Sequence, residues 1–192
     1  MGSLPVKDHE ELKRTNEIKM AIPLLEAIDI EGKDVTADAL LTQRKIAEYL
    51  VTKRHAHYHF TVKGNQRGVL EEVALWFQER KEPDFVQYAP PDHGRIEIRK
   101  IWTTTELNGY LNFPQVGQAF AIERHFRNKK TGKCSCEIAY GVTSRKVTEA
   151  SPERVLNVNR GHWTIENSCH YILDWNYDED RSRIRTGYGP EN

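Results

Sequence analysis

The chain has 192 residues, room for one full-sized core with decoration but not for two large independent domains. Lys and Arg total 28, as do Asp and Glu, so the chain lacks the overall positive charge of a nucleic-acid binder and any DNA-binding surface must be local. Aromatic residues are frequent enough for a core, no apolar run is long enough to span a membrane, and the first residues lack a secretory pattern, so a cytoplasmic protein without membrane contacts is expected.

Thr15-Asn16-Glu17 offers capping side chains, and Pro23 followed by Leu24, Leu25, Ala27 and Ile28 predicts a short helix with proline in its first turn. Residues before Thr15 are expected to be loosely attached. After the turn signal Glu31-Gly32, the segment Lys33 to Ala39 is β-prone and places Asp38 at its end. Thr42-Gln43 then opens a helix with Ile46, Ala47, Leu50 and Val51 on one face and the basic run Lys53-Arg54-His55 at its close. His57 to Val62 is a second strand, broken by Lys63-Gly64-Asn65-Gln66, and Val69, Val73, Leu75, Trp76 and Phe77 mark the next helix. This β-α-β-α order predicts a mostly parallel sheet whose reactive groups lie at the carboxyl ends of its strands, where Asp38 and Lys63 both fall.

From Pro83 to about Lys146 the pattern changes to alternation, with Ile96, Ile98, Trp102, Phe120, Ile122, Phe126, Ile138, Tyr140 and Val142 as its apolar positions. Asn128 to Lys133 reads as a polar hairpin turn, and the whole stretch as an antiparallel insertion. Ser151-Pro152-Glu153 then caps a helix carrying Val155, Leu156, Val158, Trp163 and Ile165, and a charged tail follows from Asp178. The expected organisation is therefore a first core part over residues 1–82, a β-rich insertion over 83–146, and a closing core part over 147–192.

Two separated carboxylates stand out in this layout. Asp38 faces a sheet crevice, and Glu166 lies in the helical stripe His162, Glu166, His170. Such a pair suits hard divalent cations and phosphoryl transfer. Spacing alone favours a plainer assignment, in which Asp38 caps the following helix and Glu166 is a solvated acid.

The motifs are more specific than the spacing. Val35-Thr36-Ala37-Asp38-Ala39 with Gln43, Lys63-Gly64-Asn65-Gln66, His93-Gly94-Arg95-Ile96-Glu97 with Arg99, and Arg160-Gly161-His162-Trp163 with Ile165-Glu166-Asn167 follow one another in order. Together with Leu173-Asp174 and Glu179-Asp180 before Ser182-Arg183, they resemble the H-repeat-associated insertion-sequence transposases over nearly the whole chain.

That resemblance implies an α/β ribonuclease-H-like core with a β-rich insertion and a DDE triad binding two divalent metals, Mg²⁺ or Mn²⁺. Asp38 corresponds to the second acid and Glu166 to the third. The first acid belongs to an earlier strand, so the core is expected to lack its opening strands and the chain alone to be inactive. Asp29 is no substitute, because nine residues before Asp38 leave no space for a strand and a helical crossover. The chain also stops where similar proteins continue. Double-stranded DNA, as transposon ends and target, is the implied partner, and a sheet edge without its neighbour is expected to favour self-association.

Several basic and amide side chains are candidate DNA contacts. Lys63, Asn65 and Gln66 follow the second strand, and a helix-capping turn is their alternative role. His93, Arg95 and Arg99 could face phosphate or form a salt-bridged strand with Glu97. Arg181, Arg183 and Arg185 alternate along the tail. Trp102, Trp163 and Trp175 suit core packing better than base stacking.

Two rival functions remain open in the sequence. One is a catalytically inactive, DNA-binding remnant. The other is a zinc module built from His55, His57 and His59 with Cys134 and Cys136, which the absence of short ligand loops disfavours. With Cys169, the cysteines number three, which argues against a disulfide framework.

Overall fold

The computed structural model describes residues 9–79, 82–89 and 95–165, with side chains over 18–79, 82–89 and 96–162. The chain opens with α1 (His9–Glu26), followed by β1 (Asp34–Ala37), α2 (Arg44–Arg54), β2 (His57–Val62) and α3 (Arg67–Phe77). Then come β3 (Phe85–Tyr88), β4 (Arg95–Thr104), β5 (Gln118–Asn128), β6 (Cys134–Thr143) and α4 (Pro152–Ile165). The expected short helix at Pro23 is instead the end of the 18-residue α1, which runs through Thr15 and Asn16. Pro23 lies inside α1 near its C-terminal end, where it removes the N–H that would otherwise bond the Lys19 carbonyl.

The six strands among the described residues form one sheet in the order β1-β2-β6-β5-β4-β3. The β1–β2 pair is parallel and joined through α2, as the β-α-β pattern predicts. Every other pairing is antiparallel, which corrects the expectation of a mostly parallel sheet. The alternating stretch after Pro83 does form antiparallel strands. Its last strand, β6, pairs with β2 from His59↔Thr143 to Val62↔Tyr140.

Strand alternation gives the sheet two buried faces. On one face, Ile46 and Leu50 of α2 and Val69, Val73 and Phe77 of α3 pack on Tyr58, Phe60, Val62, Trp102 and Val142. Trp102 is thus a core residue, as spacing suggests. On the other face Val155 and Leu156 of α4, with Ala150, pack on Ile101, Phe120 and Ile122. Helix α4 starts as the sequence indicates, with the Ser151 hydroxyl accepting from the Arg154 N–H at 3.3 Å.

The register also reveals a projection. The β2–β6 ladder ends at Val62↔Tyr140, whereas β5 and β6 remain paired out to Arg127↔Cys134. The six residues from 134 to 139 therefore carry the β5–β6 hairpin roughly 20 Å past the end of β2. Because β6 runs against β2, and β1 runs with β2, this arm leaves the core at the same end as Asp38 and Lys63.

Candidate active site

Asp38 leaves the carboxyl end of β1 and is exposed. Its Oδ1 accepts the Leu41 N–H at 3.1 Å, so the capping role that spacing suggests is present. Among the described residues, its second carboxylate oxygen has no hydrogen-bond partner. The loop beneath it is held firmly. The fully buried Thr42 hydroxyl lies 2.9 Å from the Thr61 carbonyl and 3.1 Å from that of Asp38.

The turn after β2 completes this support. Asn65 donates its side-chain amide to the Ala39 carbonyl, and Gln66 donates to the Thr42 carbonyl at 2.9 Å. Two residues that sequence proposes as DNA contacts thus have their amide donors engaged in shaping the Asp38 loop. Lys63, at the same turn, is exposed.

Alternation along β1 puts Asp34 and Thr36 on the face that α4 covers, and Asp38 follows the last residue of the strand. Near the end of α4, His162 Nδ1 lies 3.3 Å from Thr36 Oγ1, so the last turns of the helix lie over the strand that ends at Asp38. Glu166 follows α4 directly in the sequence but lies outside the described residues, as do His93 and Arg181, Arg183 and Arg185. Arg95 begins β4, and its side chain is not among those described.

The ground under this strand is charged and dry. Asp34 is bonded through Oδ1 to Arg145 Nε and through Oδ2 to Arg154 Nη2, each at 2.7 Å. Burial by itself would raise the Asp34 pKa, but hydrogen bonds from the two guanidinium groups outweigh it and hold the carboxyl below its usual range. His59, opposite Thr36 in the register, is fully buried, and desolvation pushes its pKa down to about 3. It is a neutral packing residue against Phe120 rather than a metal ligand or acid–base group.

The remaining candidates divide. Arg99 is largely buried and bonds Glu97 at 2.6 Å, so it occupies the salt-bridged strand that was its alternative role. Arg124 joins the same carboxylate at 3.5 Å and lies over the Phe126 ring. The zinc grouping from sequence does not assemble. His55 is the left-handed cap of α2, and His59 pairs opposite Thr143, nine residues along β6 from Cys134. Asp29 lies in the turn before β1, with a carboxylate oxygen 3.7 Å from Lys33 Nζ. Sequence reasoning passed over the exposed Lys129, Lys130 and Lys133 at the tip of the projecting arm, where the loss of strand pairing leaves them facing water.

Residues 2–188 match the family described as the transposase DDE domain. YbfL of Escherichia coli strain K12 is 30% identical over 201 aligned positions, which cover the whole of this chain and 52% of YbfL. The H repeat-associated YhhI of the same strain, named as a candidate transposase, is 29% identical with the same coverage. The synaptic complex of piggyBac transposase with hairpin DNA overlaps 80% of this chain and 27% of its own at 13% identity, with a TM-score of 0.36 that carries no argument about the fold. The chain belongs to the DDE transposase family. It spans about half the length of these relatives.

Proposed function

We propose that this chain is the later part of a ribonuclease-H-like DDE domain, with Asp38 and Glu166 as two of the three acids that hold divalent metal for DNA strand cleavage and transfer. The observation that carries this reading is the Thr36–His162 contact, which sets the end of α4 over the strand that delivers Asp38. Glu166 stands four residues after His162, the spacing that keeps two residues on one helix face. The first acid is assigned to sequence preceding these 192 residues, in keeping with relatives about twice as long.

The Asp38 carboxylate suits a hard cation, since it is exposed and one of its oxygens is free of hydrogen bonds among the described residues. Mg²⁺ or Mn²⁺ held there would assist attack and departure of the two oxygens in phosphoryl transfer. Asp38 and Glu166 contribute negative oxygen ligands. Asn65, Gln66 and Thr42 fix the loop that presents Asp38. Lys63 and the arm lysines Lys129, Lys130 and Lys133 attract the phosphate backbone of double-stranded DNA at that end of the sheet. His93, Arg95 and the tail residues Arg181, Arg183 and Arg185 extend the same interface in this proposal.

The test uses protein of parental length, carrying the upstream acid, on supercoiled and on labelled linear DNA. Asp38→Ala and Glu166→Ala should each abolish Mg²⁺-dependent nicking and leave gel-shift affinity within about threefold, because phosphate contacts supply most of the binding. Nicking at the unsubstituted rate in either variant removes that residue from the site. Binding without nicking in the unsubstituted protein selects the inactive, DNA-binding reading instead.

A further inference from the structure

Outside the Asp38 region, three side chains of different ligand chemistry converge on the projecting arm. In the β5–β6 ladder His125 sits directly opposite Cys136, and Glu123 lies two residues along β5 on the same face. One ligand atom from each of Glu123, His125 and Cys136 lies within 4.8 Å of the others. His125 Nε2 contacts Glu123 Oε1, and Cys136 Sγ is 4.0 Å from the same ring nitrogen.

We propose that Glu123, His125 and Cys136 form a zinc site that staples β5 to β6 midway along the arm. A thiolate, an imidazole and a carboxylate together suit a borderline-soft ion and not Mg²⁺ or Ca²⁺, which take oxygen ligands. Donors around tetrahedral zinc stand about 3.3–3.6 Å apart. Small χ rotations bring these atoms into that range, drawing Cys136 Sγ in and parting His125 from Glu123, since Cys136 is exposed and His125 is only partly covered. Three protein ligands leave the fourth position for water. Cys134 is two residues further toward the tip and bonds the Gly132 carbonyl at 3.6 Å, so it is not a member of the set.

One group opposes the ion. Lys100 Nζ lies 3.3 Å from Glu123 Oε1 and balances its charge in the metal-free arm. Its side chain is 36% exposed and long enough to swing into solvent as the ion takes its place. The consequence of binding is mechanical. Beyond Ile122 and Val142 the two strands of the arm carry no buried residue of either core cluster, and a metal cross-link between them stiffens it.

The test titrates the 192-residue chain with Zn²⁺ by calorimetry and with Co²⁺ by absorption, reading the thiolate-to-cobalt charge-transfer band. One ion per chain is expected. Cys136→Ser should remove the band, and Cys136→Ser and His125→Ala should each weaken Zn²⁺ binding by roughly tenfold or more. Cys134→Ser should change neither reading. All three positions are exposed or half-exposed strand sites, and matched circular dichroism without metal checks that the variants fold. Absence of a bound ion in the unsubstituted chain, undiminished binding in Cys136→Ser or His125→Ala, or loss of the band in Cys134→Ser would each overturn the proposal. None of these outcomes bears on the Asp38 assignment, which involves neither these residues nor this metal.

Discussion

The imidazole of His59 lies flat against the ring of Phe120, 4.6 Å between centroids and 16° between planes, in the layer between the sheet and α4. Its Nε2 is buried with no hydrogen-bond partner among the described residues, so only the neutral ring is tolerated. Unfolded, His59 gains a proton as pH falls below about 6.5, whereas the folded residue resists protonation down to about 3. Its contribution to stability is therefore complete above the unfolded pKa and is lost as pH falls toward the folded one, by about 1.4 kcal/mol per pH unit. His57, lowered by burial and by Arg145, adds a slope of the same sign. Chemical unfolding at about pH 7 and pH 5 should show this loss, and His59→Phe should reduce it without abolishing it. An unchanged slope in His59→Phe would remove His59 as its source.

Gly141 of β6 lies beneath the same aromatic layer. A Cβ there would collide with the tip of the Phe120 ring and come within 2.6 Å of the Phe60 carbonyl oxygen. Gly141→Ala should destabilise the chain by about 1–3 kcal/mol, the usual cost of overpacking a core. Adding Phe120→Leu, which withdraws the ring, should recover part of that loss. Equal thermal midpoints for Gly141→Ala and the parent would contradict the packing described.

Asp34 links the start of β1 to two cations that lie after β6 and in α4. Asp34→Asn leaves the Arg145 guanidinium, only 16% exposed, without its carboxylate. The expected loss is about 2–3 kcal/mol, below that of a fully buried pair because Arg154 is half exposed to water. Because the folded pKa is lowered, the parent keeps this stabilisation above about pH 4 and loses it as pH falls through the folded value. Denaturant unfolding of Asp34→Asn and the parent at about pH 7 and pH 3 should therefore show the gap between them narrowing in acid.

Much of the local structure was legible. The 3.6-residue spacing of Ile46, Ala47 and Leu50 and of Val69 and Val73 marks α2 and α3, and the turn signals bracket β2. Asp38 at a strand end follows from the same reading. What local pattern does not carry is pairing between distant segments. The union of β2 with β6 joins residues some eighty positions apart. The side-chain amides of Asn65 and Gln66 look like free donors until the Asp38 loop is placed beside them. The Glu123, His125 and Cys136 grouping was within reach, because a hairpin turning at Asn128 to Lys133 pairs Arg127 with Cys134 and hence His125 with Cys136.

The proposed DNA surface makes a prediction in salt dependence. Lys129, Lys130 and Lys133 stand at the tip of an arm that leaves the sheet on the Asp38 side, and as exposed cations they can meet phosphates without any base contact. Each phosphate neutralised by a lysine adds about 0.9 to the slope of log affinity against log salt, so three contacts add about 2.7. Replacing all three lysines with alanine should weaken double-stranded DNA binding at low salt and flatten that slope by about two to three units, with little dependence on DNA sequence. Lys53, exposed at the C-terminal end of α2 and so on the opposite end of the sheet, is the control, and Lys53→Ala should leave the slope unchanged. Fluorescence anisotropy across a salt series measures both quantities on the same samples. A triple variant that keeps the parental slope, or a Lys53 variant that lowers it equally, would place the DNA surface elsewhere on the molecule.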